Sequence, residues 1–248
     1  METKNSGPSP RVAVVPGASR AEGLGLEIAR QLAARGLRVY LTARDAEAAE
    51  ENAALLRAEG HDVRSASLDV NDDASVAALA ERLSSDEGRL DVLVNNAASH
   101  WDYREPTLAL APATLLAALE TNAVGPLRTT LALLPLLRAS GAARVVNVSS
   151  EAASFGAPRG MAQRGRTLGA YGISKAALDA LTVKLAAALE ATHGLDLPER
   201  TAVFVGAQCD AEVARYGARW RATEWLQQLG GALPGDLGER FMHTLRAA

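Results

Sequence analysis

Six short segments rich in Val and Leu recur along this chain at Arg11 to Val15, Leu37 to Thr42, Asp62 to Ser67, Asp91 to Asn95, Ala143 to Val148 and Thr201 to Val205. Between them run helix-length stretches rich in Ala, Leu, Glu and Arg, among them Leu26 to Arg35, Ala46 to Glu59 and Ala74 to Glu87. Short apolar runs alternating with helices predict an α/β protein, a doubly wound parallel sheet with helices on both faces. Such a sheet binds its ligands beyond the carboxyl ends of its strands. The segment Thr107 to Arg138, rich in Leu and Ala, predicts one long helix with bends or breaks at Pro126 and Pro135.

The chemistry-bearing motifs fall at those strand ends. The first strand runs through Gly17-Ala18-Ser19-Arg20-Ala21-Glu22-Gly23-Leu24-Gly25 into an amphipathic stretch. A glycine turn between strand and helix lets a dinucleotide pyrophosphate approach the amides of the helix N-terminus. Roughly 20 residues further on, where such a fold meets the adenosine ribose, an NAD site offers a carboxylate; here Ala43 and Arg44 stand instead. Arg44, with Arg20 from the glycine turn, suits a ribose 2′-phosphate. A hydrogen bond to a charged group contributes about 1.5 to 3 kcal/mol, so each arginine would favour NADP over NAD by roughly 10- to 100-fold. The alternative is that both are ordinary surface charges. Downstream of Asn147-Val148-Ser149-Ser150, Tyr171 and Lys175 lie four residues apart, on one face of a helix. A phenol with a pKa near ~10 is a poor acid at neutral pH, and an ammonium beside it favours the phenolate and brings proton transfer into range.

Together with Asn95-Asn96-Ala97-Ala98 and Thr121-Asn122-Ala123-Val124-Gly125, these motifs resemble the short-chain dehydrogenase/reductase family, most of all its single-domain carbonyl-reductase-like members. The resemblance covers about residues 11 to 205 and implies a Rossmann-type sheet, an NADP(H) cofactor and a small-molecule carbonyl substrate. It implies that Gly17, Ser19, Arg20, Gly23, Leu24 and Gly25 hold the pyrophosphate, that Arg44 meets the 2′-phosphate, that Asp69 and Val70 contact the adenine, and that Asn96, Ala97 and Ala98 lie along the adenosine ribose. Tyr171 would be the general acid, Lys175 would lower its pKa and bind the nicotinamide ribose, and Ser150, rather than Ser149, would donate to the substrate oxygen. Asn122 would hold a water linking Lys175 to solvent. A homodimer or homotetramer is a further implication, because Ala176, Ala177, Ala180, Ala186 and Ala187 let another helix approach closely; the same residues serve equally well to cover the sheet.

The chain also departs from the family pattern. Two extra residues, Ala21 and Glu22, lengthen the glycine turn, so Glu22 must point away from any pyrophosphate. The loop 151–170 is long and carries Arg159, Arg164 and Arg166, suited to an anionic substrate group or simply to solvent. After the last strand, Gly206-Ala207-Gln208-Cys209-Asp210 replaces the family's Pro-Gly pair, and the segment near Ala222 to Leu229 is short for a lid. These departures keep open a non-redox enzyme on the same fold, a cyclase, dehydratase or isomerase using Tyr171 and Ser150 as acid and base. A cofactor-sensing protein without turnover has no need of Ser150, Tyr171 and Lys175 together.

Composition narrows the rest. A net charge of −3, with acids and bases interspersed, gives no basic face for nucleic acid. The single cysteine, Cys209, makes no internal disulfide and suits a reducing compartment. His61, His100, His193 and His243 are scattered and lack metal-ligand spacing. The expectation is a flexible tail over 1–10 and one domain over 11–248, cytoplasmic, without a membrane span or a metal.

Overall fold

The computed structural model describes residues 9–99, 102, 105–155, 161, 167–193 and 201–204. The arginines of the 151–170 loop, His100, the segment Gly206 to Asp210 with Cys209, and Ala222 to Leu229 lie outside them, as does most of the expected N-terminal tail. The described strands are β1 (Val12–Pro16), β2 (Arg38–Ala43), β3 (Val63–Ser67), β4 (Val92–Asn95), β5 (Arg144–Val148) and β6 (Thr201–Phe204). All pair in parallel, in the order β3-β2-β1-β4-β5-β6. That is the strand order of doubly wound dinucleotide folds, with a switch point between β1 and β4.

The helices are α1 (Leu24–Ala34), α2 (Ala46–Ala58), α3 (Asp73–Asp86), α4 (Pro112–Leu119), α5 (Gly125–Ser140) and α6 (Gly169–His193). Strand alternation divides the core in two. Ala13 and Val15 of β1 join Leu26 and Ala29 of α1 and Ala53 and Leu56 of α2 on one face. Val12 and Val14 join Leu79 and Leu83 of α3 and Leu133 and Leu137 of α5 on the other. Both faces of β1 are thus covered, which is why its five residues read as an unbroken apolar run. Across the sheet, buried Asn95 donates to Asn147 at 2.7 Å and Asn147 donates to Thr182 of α6 at 2.8 Å, fixing the register of β4, β5 and α6 at the carboxyl end.

The region expected as one long helix with bends or breaks is helical from Pro112 to Ser140, with an irregular turn just ahead of Pro126. A 3₁₀ turn (Thr107–Ala109) precedes α4, and a π-helical turn over Glu120–Val124 joins α4 to α5. The π turn precedes Pro126, which sits in the first turn of α5, where a missing N–H is tolerated. Pro135, expected to bend or break the helix, lies inside α5 without ending it. The carbonyl deprived of its partner is that of Leu131, a residue 52% exposed, so water can donate to it.

Candidate active site

The predicted pyrophosphate, adenine and adenosine-ribose positions lie at or just beyond the carboxyl ends of β1 to β4, while Tyr171 and Lys175 lie on α6. Gly17 has φ +77°, and a Cβ there would lie 2.5 Å from the Ala97 Cα; glycine alone lets the turn pack against the end of β4. A Cβ at Gly25 would meet the Asn96 amide nitrogen at 2.7 Å. Asn96 in turn donates to the carbonyls of Pro16 at 3.1 Å and Gly17 at 3.0 Å, so the first and fourth strands present one joined surface. The two extra residues do not enter it. The Gly23 N–H donates to the Arg20 carbonyl at 3.0 Å, making Ala21 and Glu22 the exposed centre of a tight turn and leaving Gly23 at the head of α1.

Helices α2 and α3 are capped by the side chains of Asp45 and Asp72, whereas α1 begins at Gly23 with no side-chain cap. Uncapped amides, a small residue at the helix head and an outward Glu22 suit a pyrophosphate. Ser19 and Arg20 are exposed along the same turn, with Leu24 at the start of the helix. Arg44 is exposed just beyond β2, and among the described residues no carboxylate pairs with it. Asp45, next to Arg44, accepts from the Glu47 and Ala48 N–H groups and is thereby committed to the helix. Asp69 accepts from the Asn71 N–H at 2.9 Å, and the buried Val70 follows it against Gly125. Ala97 and Ala98 follow Asn96 on the way out of β4.

On the other side of the switch point, Ser150 closes β5 and is buried; its hydroxyl oxygen accepts from the Ala152 N–H at 3.2 Å, leaving the hydroxyl proton to donate elsewhere. The Ser149 hydroxyl donates to the Lys175 carbonyl at 3.5 Å. Lys175 is 1% exposed, and its Nζ donates to the Val148 carbonyl at 2.6 Å while lying 5.9 Å from the centroid of the Tyr171 ring. Burial pushes the ammonium down to about 8, opposed by the charge of Asp179 one turn along α6. At neutral pH it therefore remains mostly protonated. Burial also raises Asp179, against the Ser149 hydrogen bond and the Lys175 charge, and one of its oxygens is buried without a hydrogen bond.

Asn122 is fully buried in the π turn. Its side-chain oxygen accepts from the Ser99 N–H at 2.8 Å, and its amide donates to the Ser99 carbonyl at 3.2 Å and the Ser174 hydroxyl at 2.9 Å. The side chain is thus committed to protein partners. Its main-chain carbonyl faces a different situation, because Pro126, four residues on, has no N–H to occupy it.

Sequence reasoning missed two carboxylates. Asp179 stands four residues after Lys175, a spacing that does signal a charge pair. Asp102, 1% exposed, accepts from the Ala170 and Tyr171 N–H groups at 2.5 and 3.2 Å, and nothing local in the sequence announces a partner 68 positions away. Among the described residues no group of His, Cys, Asp and Glu is arranged to hold a metal, and no helix is long and apolar enough to cross a membrane.

Residues 11–195 match the short chain dehydrogenase family. The chain is 37% identical over 187 residues to the rhamnolipids biosynthesis 3-oxoacyl-(acyl-carrier-protein) reductase of Pseudomonas aeruginosa, across 74% of this chain and 68% of that protein. It is 41% identical over 142 residues to carbonyl reductase (NADPH) 1 of Sus scrofa, across 56% of this chain but only 47% of that protein. Two solved structures share the fold: the Pseudomonas aeruginosa RhlG/NADP active-site complex, at 30% identity and a TM-score of 0.71 over 96% of this chain and 89% of that one; and a metagenomic short-chain oxidoreductase in complex with NADP, at 31% identity and a TM-score of 0.66 over 85% and 91%. With the strand order, the glycine turn and the Ser150, Tyr171 and Lys175 positions all at one sheet edge, the chain belongs to the short-chain dehydrogenase family.

Proposed function

We propose that the chain is an NADP(H)-dependent oxidoreductase that reduces a ketone or aldehyde, with Tyr171 as the proton donor. The observation that carries this reading is the placement of Lys175. An ammonium is buried at 1% exposure, anchored to the end of β5 and set 5.9 Å from a tyrosine ring. Burying an ammonium costs several kcal/mol of stability, and beside a phenol it lowers the free energy of the phenolate left when the proton departs.

The dinucleotide would be held by the uncapped head of α1, the glycine turn and Arg44, and when bound it supplies hydride to the carbonyl carbon. The Ser150 hydroxyl donates a hydrogen bond to the substrate oxygen, keeping its own proton, and so stabilises the charge that builds there. Tyr171 delivers a proton to the same oxygen, and Lys175 holds the resulting phenolate. Asn122, its side chain bound to Ser99 and Ser174, keeps the π turn in place, and its main-chain oxygen is the acceptor for the water that reconnects Lys175 with solvent. Of the two departures that suggested a non-redox alternative, the extra residues lie in an exposed turn away from the surface joining Gly17 and Asn96, and the replaced Pro-Gly pair falls outside the described residues.

The test is NADPH oxidation, followed by absorbance, against a panel of ketones and aldehydes, with Tyr171→Phe in parallel. Loss of a general acid costs about 10²- to 10⁴-fold in kcat, so the variant should retain NADPH binding, measured by fluorescence, and lose nearly all turnover. A variant as active as wild type would move the proton donor to another group.

A further inference from the structure

We infer that Asp102 is a positioning residue for the proton donor: its carboxylate, on the segment after β4, holds the first turn of α6 and sets Tyr171 through that residue's own main-chain N–H. The inference rests on the reductase reading above. Both carboxylate oxygens are used, one on the Ala170 N–H at 2.5 Å and the other on the Tyr171 N–H at 3.2 Å, and the residue is 1% exposed. Charged acceptors make shorter and stronger bonds to amides than neutral ones.

A helix cap ordinarily lies next to its helix in sequence. Here it comes from another part of the chain, and the reason is visible in the entry to α6. Leu168 has φ +60°, a left-handed conformation unfavourable for a bulky residue. Thr167 forms an isolated bridge with Pro106, and a Cβ on Gly169 would press on Thr107 and Leu110 at 3.1 to 3.3 Å. The strained entry is therefore held from outside, by Asp102, Pro106, Thr107 and Leu110. Ser99, three positions before Asp102, holds Asn122. Ser99 thus holds the π turn and Asp102 the turn bearing Tyr171, and releasing Asp102 would free the phenol to shift relative to Ser150 and Lys175.

The experiment compares Asp102→Ala, which removes both acceptors, with Asp102→Asn, which keeps one. Misplacing a catalytic group by about 1 Å costs up to roughly 100-fold. Asp102→Ala should lower kcat by about 10- to 100-fold while leaving KM and the NADPH dissociation constant within about twofold, the split expected for an interaction that matters to the reacting geometry alone. Amide hydrogen exchange at Ala170 and Tyr171 should accelerate, with the remaining core amides unchanged. Asp102→Asn should recover most of kcat and of the protection. An unchanged kcat in Asp102→Ala, an Asn variant no better than Ala, or a parallel loss of NADPH affinity and melting temperature would each overturn the positioning role. If wild type oxidises no NADPH with any carbonyl, the reductase reading fails by itself, and the exchange comparison decides the Asp102 contact: equal rates at Ala170 and Tyr171 in wild type and Asp102→Ala refute it.

Discussion

Lys175 concentrates the conflict between stability and function in one side chain. Its ammonium is held down to about 8 by burial, whereas in the unfolded chain it titrates near ~10.4. Between those values the unfolded state binds more protons, so stability rises with pH across that window, and the cost of burying the charge is fully present below it. At about 1.4 kcal/mol per pKa unit the cost is on the order of 3 kcal/mol. Lys175→Met should therefore abolish carbonyl reduction yet raise unfolding stability at pH 7 by about 1 to 3 kcal/mol, a gain that shrinks as wild type is measured towards pH 10.5. Urea melts of both proteins at pH 7 and above pH 10 check this; a wild-type-minus-variant difference that does not change with pH would remove the buried ammonium as its source. The Tyr171 and Lys175 pair was legible in the sequence because helical periodicity alone places both on one face. Asp102 was not, because its two hydrogen bonds depend on a chain path that closes 68 positions apart.

Two elements of the site obey the same contrast between local and distant causes. The glycine turn could be read directly: glycine is needed where φ is +77° and where Ala97 approaches, and the extra Ala21 and Glu22 loop outward between Arg20 and Gly23. The long helix expected over Thr107 to Arg138 is helical without a gap from Pro112 to Ser140; what the sequence did not show is that its irregularity is a π turn ahead of Pro126, in which Asn122 bonds Ser99 on another segment. The turn makes a pair of opposed expectations. Deleting Ala21 and Glu22 should leave NADPH affinity within about threefold, because the excised residues lie outside the packed surface and loop length itself carries only a small free-energy cost. Gly17→Ala, by contrast, places a methyl 2.5 Å from a backbone atom at positive φ. It should destabilise the fold by about 1 to 3 kcal/mol and weaken NADPH binding by displacing the turn from the head of α1. Fluorescence titration with NADPH and thermal melts measure both; a deletion more damaging than Gly17→Ala would mean that the extra residues belong to the cofactor surface.

For the molecule as a whole, a parallel sheet with helices on both faces followed from alternation of apolar runs and helices, whereas alternation alone does not select the observed order β3-β2-β1-β4-β5-β6 over the other doubly wound order. What alternation also leaves open is which helix faces remain outside. On α6 the residues that pack inward are Ser174, Lys175, Leu178 and Thr182, while Ile173, Ala180, Val183 and Ala187 are exposed, spaced as one stripe along the helix. Ala180 and Ala187 therefore do not cover the sheet, which was the alternative to an interface between subunits. On α4 and α5, Leu116 is 66% exposed and Leu131 is 52% exposed. Large side chains on one helix beside small ones on another are the surfaces by which a second copy can approach closely, and each buried leucine contributes about 1.5 to 3 kcal/mol. The expectation is a homodimer or homotetramer that buries these helices. Sedimentation equilibrium of the full chain should give a mass that is a multiple of 25.9 kDa, and Ala180→Glu, which sets a carboxylate on the small-residue stripe, should shift it towards the monomer at unchanged secondary structure. A wild-type protein that sediments as a monomer at high concentration would show that the stripe is covered by the protein's own chain or by solvent alone.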